Sequence, residues 1–166
     1  VGSEMCIRDS SGGNGNTSWG PEGFESMDYL QYVVWPDSLK GIGDNVFAGC
    51  PLRGSLIFPE GLKHIGGGVF SSYGHKANNL TGELYIPSSV EYIGDEAFGR
   101  NDYNQIQYTT YLSGEVVLPH RMKYLGRAFE NCPLLTGLIR IPDGLTELNK
   151  FAAPNMTGDV IIPPVS

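Results

Sequence analysis

Apolar positions along this chain recur in a fixed phase between a glycine and a proline. The pairs are Gly54/Pro59, Gly82/Pro87, Gly114/Pro119, Gly137/Pro142 and Gly158/Pro163, each five residues apart. A large apolar residue stands two positions before each glycine: Leu52, Leu80, Leu112, Leu135 and Met156. Another stands three after the proline, at Leu39, Leu62, Val90, Met122 and Leu145. Six after the proline comes Ile42, Ile65, Ile93, Leu125 or Leu148, and an aromatic follows at Phe47, Phe70, Phe98, Phe129 and Phe151. The proline-to-proline interval runs from 21 to 32 residues, the range of stacked supersecondary units.

Each copy predicts a strand, a turn, a second extended stretch and one helical turn. Alternation puts every other strand side chain on one face. Leu56 and Phe58, Leu84 and Ile86, Val116 and Leu118, Ile139 and Ile141, and Val160 and Ile162 are expected to point inward. Proline ends the strand because it has no N–H for the ladder. Gly94 and its counterparts are expected to provide a bend, and Asp95-Glu96-Ala97-Phe98 a helical turn that drops Phe98 into the core. A single copy buries too little to fold alone, so the copies must stack and share one interior.

The stretch Leu80-Thr81-Gly82-Glu83-Leu84-Tyr85-Ile86-Pro87, continued by Ser88-Ser89-Val90-Glu91-Tyr92-Ile93-Gly94-Asp95-Glu96-Ala97-Phe98, resembles the BspA-type leucine-rich repeat. The likeness covers residues 19–163 or so. It implies a right-handed leucine-rich repeat solenoid, β-rich, with one parallel-sheet strand and a short helical turn per repeat. It also implies an extracellular or cell-surface protein with adhesive or protein-binding roles, and it brings no catalytic residues. The family's cysteine position holds Cys50 and Cys132 but also Met27 and Pro154, and Gly66-Gly67-Gly68 replaces the usual polar turn.

Residues 1–10 lie outside the repeat's phase. They match the in-frame translation of a transposase sequencing-library adapter and are expected to be an artefact. Residues 11–18, rich in Gly, Ser and Asn, are expected to be flexible. Residues 19–166 form one solenoid of about six repeats, expected to be truncated at both ends because neither end shows a polar cap. Leu30–Pro36 reads as the first strand, one residue shorter than the others and without the glycine. Insertions at 71–79 and 99–111 leave the repeat at the same corner, which places both loops on one side.

The net charge of −7 argues against nucleic acid or an anionic membrane as partner, since both call for basic patches. No apolar run approaches membrane-spanning length. Cys50 and Cys132 hold one repeat position three coils apart, too far for a disulfide, and read as small buried hydrophobes. His64, His75 and His120 lack metal-ligand spacing. His64 shares its repeat position with Tyr92 and Tyr124. No cofactor is expected.

Strand residues facing away from the core form two columns. One is Tyr32, Ser55, Glu83, Glu115, Leu138 and Asp159; the other is Val34, Ile57, Tyr85, Val117, Arg140 and Ile161. An apolar column beside charge marks an interaction site, with Tyr85 and Arg140 as its anchors. The candidate binding residues are Val34, Ile57, Tyr85, Val117, Arg140, Glu83 and Glu115. Glu83 and Glu115 are expected on adjacent strands roughly 5 Å apart, a separation suited to glycoside chemistry, but an open sheet has no pocket to raise one pKa. The reading is a non-enzymatic module binding a protein or glycan of unknown identity. The alternatives are a structural spacer and a targeting module of a larger enzyme.

Overall fold

A computed structural model describes residues 5–7, 24, 27–71, 78–99, 110–130, 132–137, 139–145 and 160–162, with 5–7 and 139 described by their backbone alone. Its strands are β1 (Met5–Ile7), β2 (Leu39–Ile42), β3 (Arg53–Ile57), β4 (His64–Ile65), β5 (Asn79–Tyr85), β6 (Tyr92–Ile93), β7 (Gly114–Glu115), β8 (Tyr124–Leu125), β9 (Leu135–Thr136), β10 (Ile139–Arg140) and β11 (Val160–Ile161). Every pairing is parallel. Stacked coils produce this pattern, because each coil returns in the direction of the one before.

The unbroken sheet is the short one after the proline, in the order β1-β2-β4-β6-β8. Its register is simple: Ile42 lies against Ile65, Ile65 against Ile93 and Ile93 against Leu125. The constant six-residue step from proline to this position keeps the coils in phase. Met5–Ile7, from the segment outside the repeat's phase, lies along β2 as the edge strand.

The glycine-to-proline segments also lie side by side, but in pieces. β3 pairs with β5, the Glu83–Ser113 bridge carries the ladder toward β7, β7 pairs with β9, and β10 pairs with β11. Up to the residue after the glycine, each coil is offset by two residues from its repeat equivalent, so Gly54 faces Leu80, Glu83 faces Ser113 and Glu115 faces Thr136. Beyond it the equivalents face each other, as Leu56 does Leu84 and Ile139 does Val160. Gly54, Gly114 and Gly137 have φ of 83°, 104° and 131°, a region open to glycine; the register shifts just after Gly54, and β9 ends just before Gly137.

The interior is a stack of rings. Phe47, Phe70, Phe98 and Phe129 are buried, and an exposed Phe24 stacks on the end of the row; the five rings lie nearly parallel, with successive centroids 5.3, 5.9, 5.9 and 5.4 Å apart. Trp35 and Phe58 pack against this spine, and Leu39, Leu62, Val90 and Met122 line another side of the same core. Offset parallel stacking of this kind is favourable beyond simple burial.

Four expectations need correction. No helix forms among the described residues. In the segment before each spine phenylalanine, alternate amides donate to the next coil: Asn45 N to Gly67 O, Phe47 N to Val69 O, Gly68 N to Asp95 O, Phe70 N to Ala97 O. Those amides cannot also close a helical turn, and a left-handed residue at Asn45 (φ 57°), Gly68 (59°) and Glu96 (56°) reverses the chain. Second, Gly94 is not a φ-driven bend. A Cβ there would lie 2.3 Å from Gly67 N, as one on Gly66 would lie 2.5 Å from the Gly43 carbonyl carbon; stacking leaves no room for a side chain. Third, residues 31–36 form no strand. Without the glycine and one residue short, that segment cannot take the two-residue offset, and its backbone tie to β3 is Arg53 N to Gln31 O. On the last strand Val160 and Ile162, expected inward, are exposed.

Candidate functional site

The outward column is where alternation places it. β5 alternates exposed and buried side chains, with Leu80 and Leu84 inside and Asn79, Thr81, Glu83 and Tyr85 outside. Val34 is 92 % exposed, Ile57 47 %, Tyr85 45 % and Val117 66 %. Ile57 and Tyr85 face each other across β3 and β5, and Arg140 faces Ile161 across β10 and β11. Arg140 is exposed at the far end. Leu138 and Asp159 of the other column lie outside the described residues.

Tyr85 is held in place. Its hydroxyl donates to Glu60 Oε1 at 2.6 Å, and that carboxylate keeps the proton on the phenol, raising its pKa. Glu83 and Glu115 are both exposed, but the register sets Glu83 opposite Ser113, not Glu115. The two-residue offset therefore removes the directly opposed carboxylate pair that simple stacking predicts. Glu83 N is bonded by Ser55 Oγ at 2.9 Å.

The insertions leave at a shared corner. Asn78 and Thr110, the re-entry residues, are buried, and Asn78 Nδ2 donates to Thr110 Oγ1 at 3.2 Å and to Phe70 O at 2.6 Å. Thr110 Oγ1 donates to Phe98 O at 2.6 Å. In the coils without insertions a cysteine takes this place: Cys50 Sγ donates to Phe24 O and Cys132 Sγ to Phe98 O. Both are buried thiols, and burial pushes Cys132 up to about 12. The inserted residues Tyr73, His75, Tyr103 and Tyr108 lie outside the described residues; Tyr111, the last residue of the second insertion, is exposed.

On the unbroken sheet His64, Tyr92 and Tyr124 stack with centroids 4.3 and 4.6 Å apart, a ladder that their shared repeat position foreshadows. Beside it the Lys123 ammonium donates to Glu91 and holds that carboxyl below its usual range, with Lys63 and Arg121 adding to the effect. Among the described residues no group of three or more His, Cys, Asp or Glu is placed to hold a metal ion, and no helix is long and apolar enough to cross a membrane.

A family model described as the BspA type leucine rich repeat region matches residues 17–153 in six copies. No curated protein and no solved structure gives a significant match.

Proposed function

Given that the chain belongs to the BspA-type leucine-rich repeat family, we propose that it is a non-catalytic adhesion or recognition module of a cell-surface or secreted protein. Its contact surface is the outward side of the glycine-to-proline ladder. One observation carries this reading. Four apolar side chains, Val34, Ile57, Tyr85 and Val117, stand exposed at equivalent positions of successive coils, where each could have been polar at no cost to the core. Rows of exposed apolar groups rimmed by charge are surfaces that partners cover. Glu83, Glu115 and Arg140 supply the rim, and Tyr85, anchored on Glu60, has the rigid aromatic character of an interface anchor.

The test is capture on a surface-plasmon panel of matrix proteins and immobilised glycans. Tyr85→Ala and Arg140→Ala are expected to weaken capture by tenfold or more, about 1.4 kcal/mol each, with the melting temperature unchanged. Equal capture by wild type and both variants across the panel refutes the reading and leaves a spacer in its place.

A further inference from the structure

The misfit of the first coil opens a groove. Because residues 31–36 do not join the ladder, a space of about 220 Å³ remains between them and β3. Its lining joins Gln31, Tyr32, Arg53 and Ser55 above an apolar floor that includes Trp35 and Leu52. Above Gly54 the backbone is bare: a Cβ there would meet no atom within 4 Å.

Three of the polar side chains around this space are unused by the described residues. Among the described residues the side chains of Gln31, Tyr32 and Arg53 have no hydrogen-bond or ionic partner, while Ser55 Oγ accepts from Glu83 N. Tyr32 is 71 % exposed, so its ring forms a free wall. The Arg53 guanidinium has no ion pair among the described residues, in a chain of net charge −7. A ring-sized volume with an aromatic wall, an amide that both donates and accepts, and one fork of cationic donors is suited to a pyranose carrying one anionic group. The aromatic face packs on the C–H face of the ring. The amide meets the hydroxyls. The guanidinium takes a carboxylate or sulfate in two parallel bonds.

We propose that this groove binds an acidic sugar residue, a uronic acid or its sulfated counterpart, within a glycan. This deepens the recognition reading and rests on it, but the two fail separately, because the groove residues are not those of the exposed apolar row. A peptide carboxylate shares the anion but not the ring, and the test separates the two.

The experiment is saturation-transfer NMR and calorimetry on the full chain with methyl β-glucuronide, methyl β-glucoside and N-acetyl glutamate. The glucuronide is expected to saturate, with the glucoside at least tenfold weaker and N-acetyl glutamate weaker still. Arg53→Gln is expected to erase the preference for glucuronide over glucoside, and Tyr32→Ala to weaken both sugars at least fivefold. Tyr85→Ala should leave sugar binding unchanged even where it abolishes capture of a macromolecular partner. All three variants alter exposed side chains, and an unchanged melting temperature confirms their folding. The proposal is overturned if the glucuronide fails to bind, if N-acetyl glutamate binds as well as the glucuronide, or if Arg53→Gln binds like wild type.

Discussion

Glu96 shows how the stacked coil imposes itself on single residues. It holds φ of 56°, where a side chain costs about 1–2 kcal/mol, at the position that Gly68 fills in the preceding coil. Its contact with Arg127, 3.9 Å away on a partly exposed surface, offsets little of that cost. Glu96→Gly is therefore expected to raise the unfolding free energy by about 0.5–1 kcal/mol, measured by urea denaturation. A loss of stability would mean that the side chain holds the turn. The glycines divide by cause. Gly94→Ala should destabilise by about 2 kcal/mol or more, since the added carbon meets backbone that cannot yield. Gly54→Ala meets open space and should lose about 1 kcal/mol from φ alone. Cys132 sets a pH limit. Burial raises its folded pKa above the ordinary 9.0, to about 12. The neutral thiol is the form the fold favours, so its contribution is complete below pH 9 and declines as pH climbs from about 9 toward 12. Iodoacetamide at pH 8 should modify Cys132 only after unfolding.

At the scale of elements, the spacings that hold constant through the sequence are the ones that build regular structure. The six-residue step from proline to Ile42, Ile65, Ile93 and Leu125 produced the unbroken sheet, and the phase of the phenylalanines produced the spine. Burial of Leu56, Leu84 and Val116 and exposure of Ile57 and Tyr85 were legible in the alternation. What could not be read was hydrogen bonding between coils. Nothing in Asp95-Glu96-Ala97-Phe98 alone says that its amides serve the neighbouring coil and not a helix, and nothing local to Glu83 says that its partner is Ser113. The two-residue offset at the glycine is a property of the pair. The one-residue deficit in 30–36 was visible in the sequence, but its consequence, an open groove, needed the register. Inserting a glycine after Gln31 restores the length of the other coils. The added strand should pair with β3, raise the urea midpoint and remove sugar binding from the groove. An unchanged midpoint with intact sugar binding would show that the deficit is not what opens the space.

Taken whole, the molecule is one interior shared among coils that cannot fold singly, with an outward ladder that is the proposed contact surface. Phe70 lies at the middle of the spine, between Phe47 and Phe98, and is fully buried. Phe70→Ala should cost about 3–5 kcal/mol. Because the coils share one core, that loss should appear in a single cooperative transition and not as melting of one repeat. The residues proposed for recognition were nameable from alternation because an exposed apolar group on a repeat stands out against its polar neighbours. The groove was not, because its polar groups come from two coils that meet only after folding.

Lateral bonding of the coils is tested most directly by amide hydrogen exchange followed by NMR. The N–H groups of Phe47, Phe70, Gly66, Gly94 and Gly126 all donate to backbone carbonyls of an adjacent coil. They are expected to exchange together, at the slow rate set by global unfolding. Fast exchange at these positions, with slow exchange confined to amides bonded within their own coil, would contradict the stacked architecture and the recognition surface built on it.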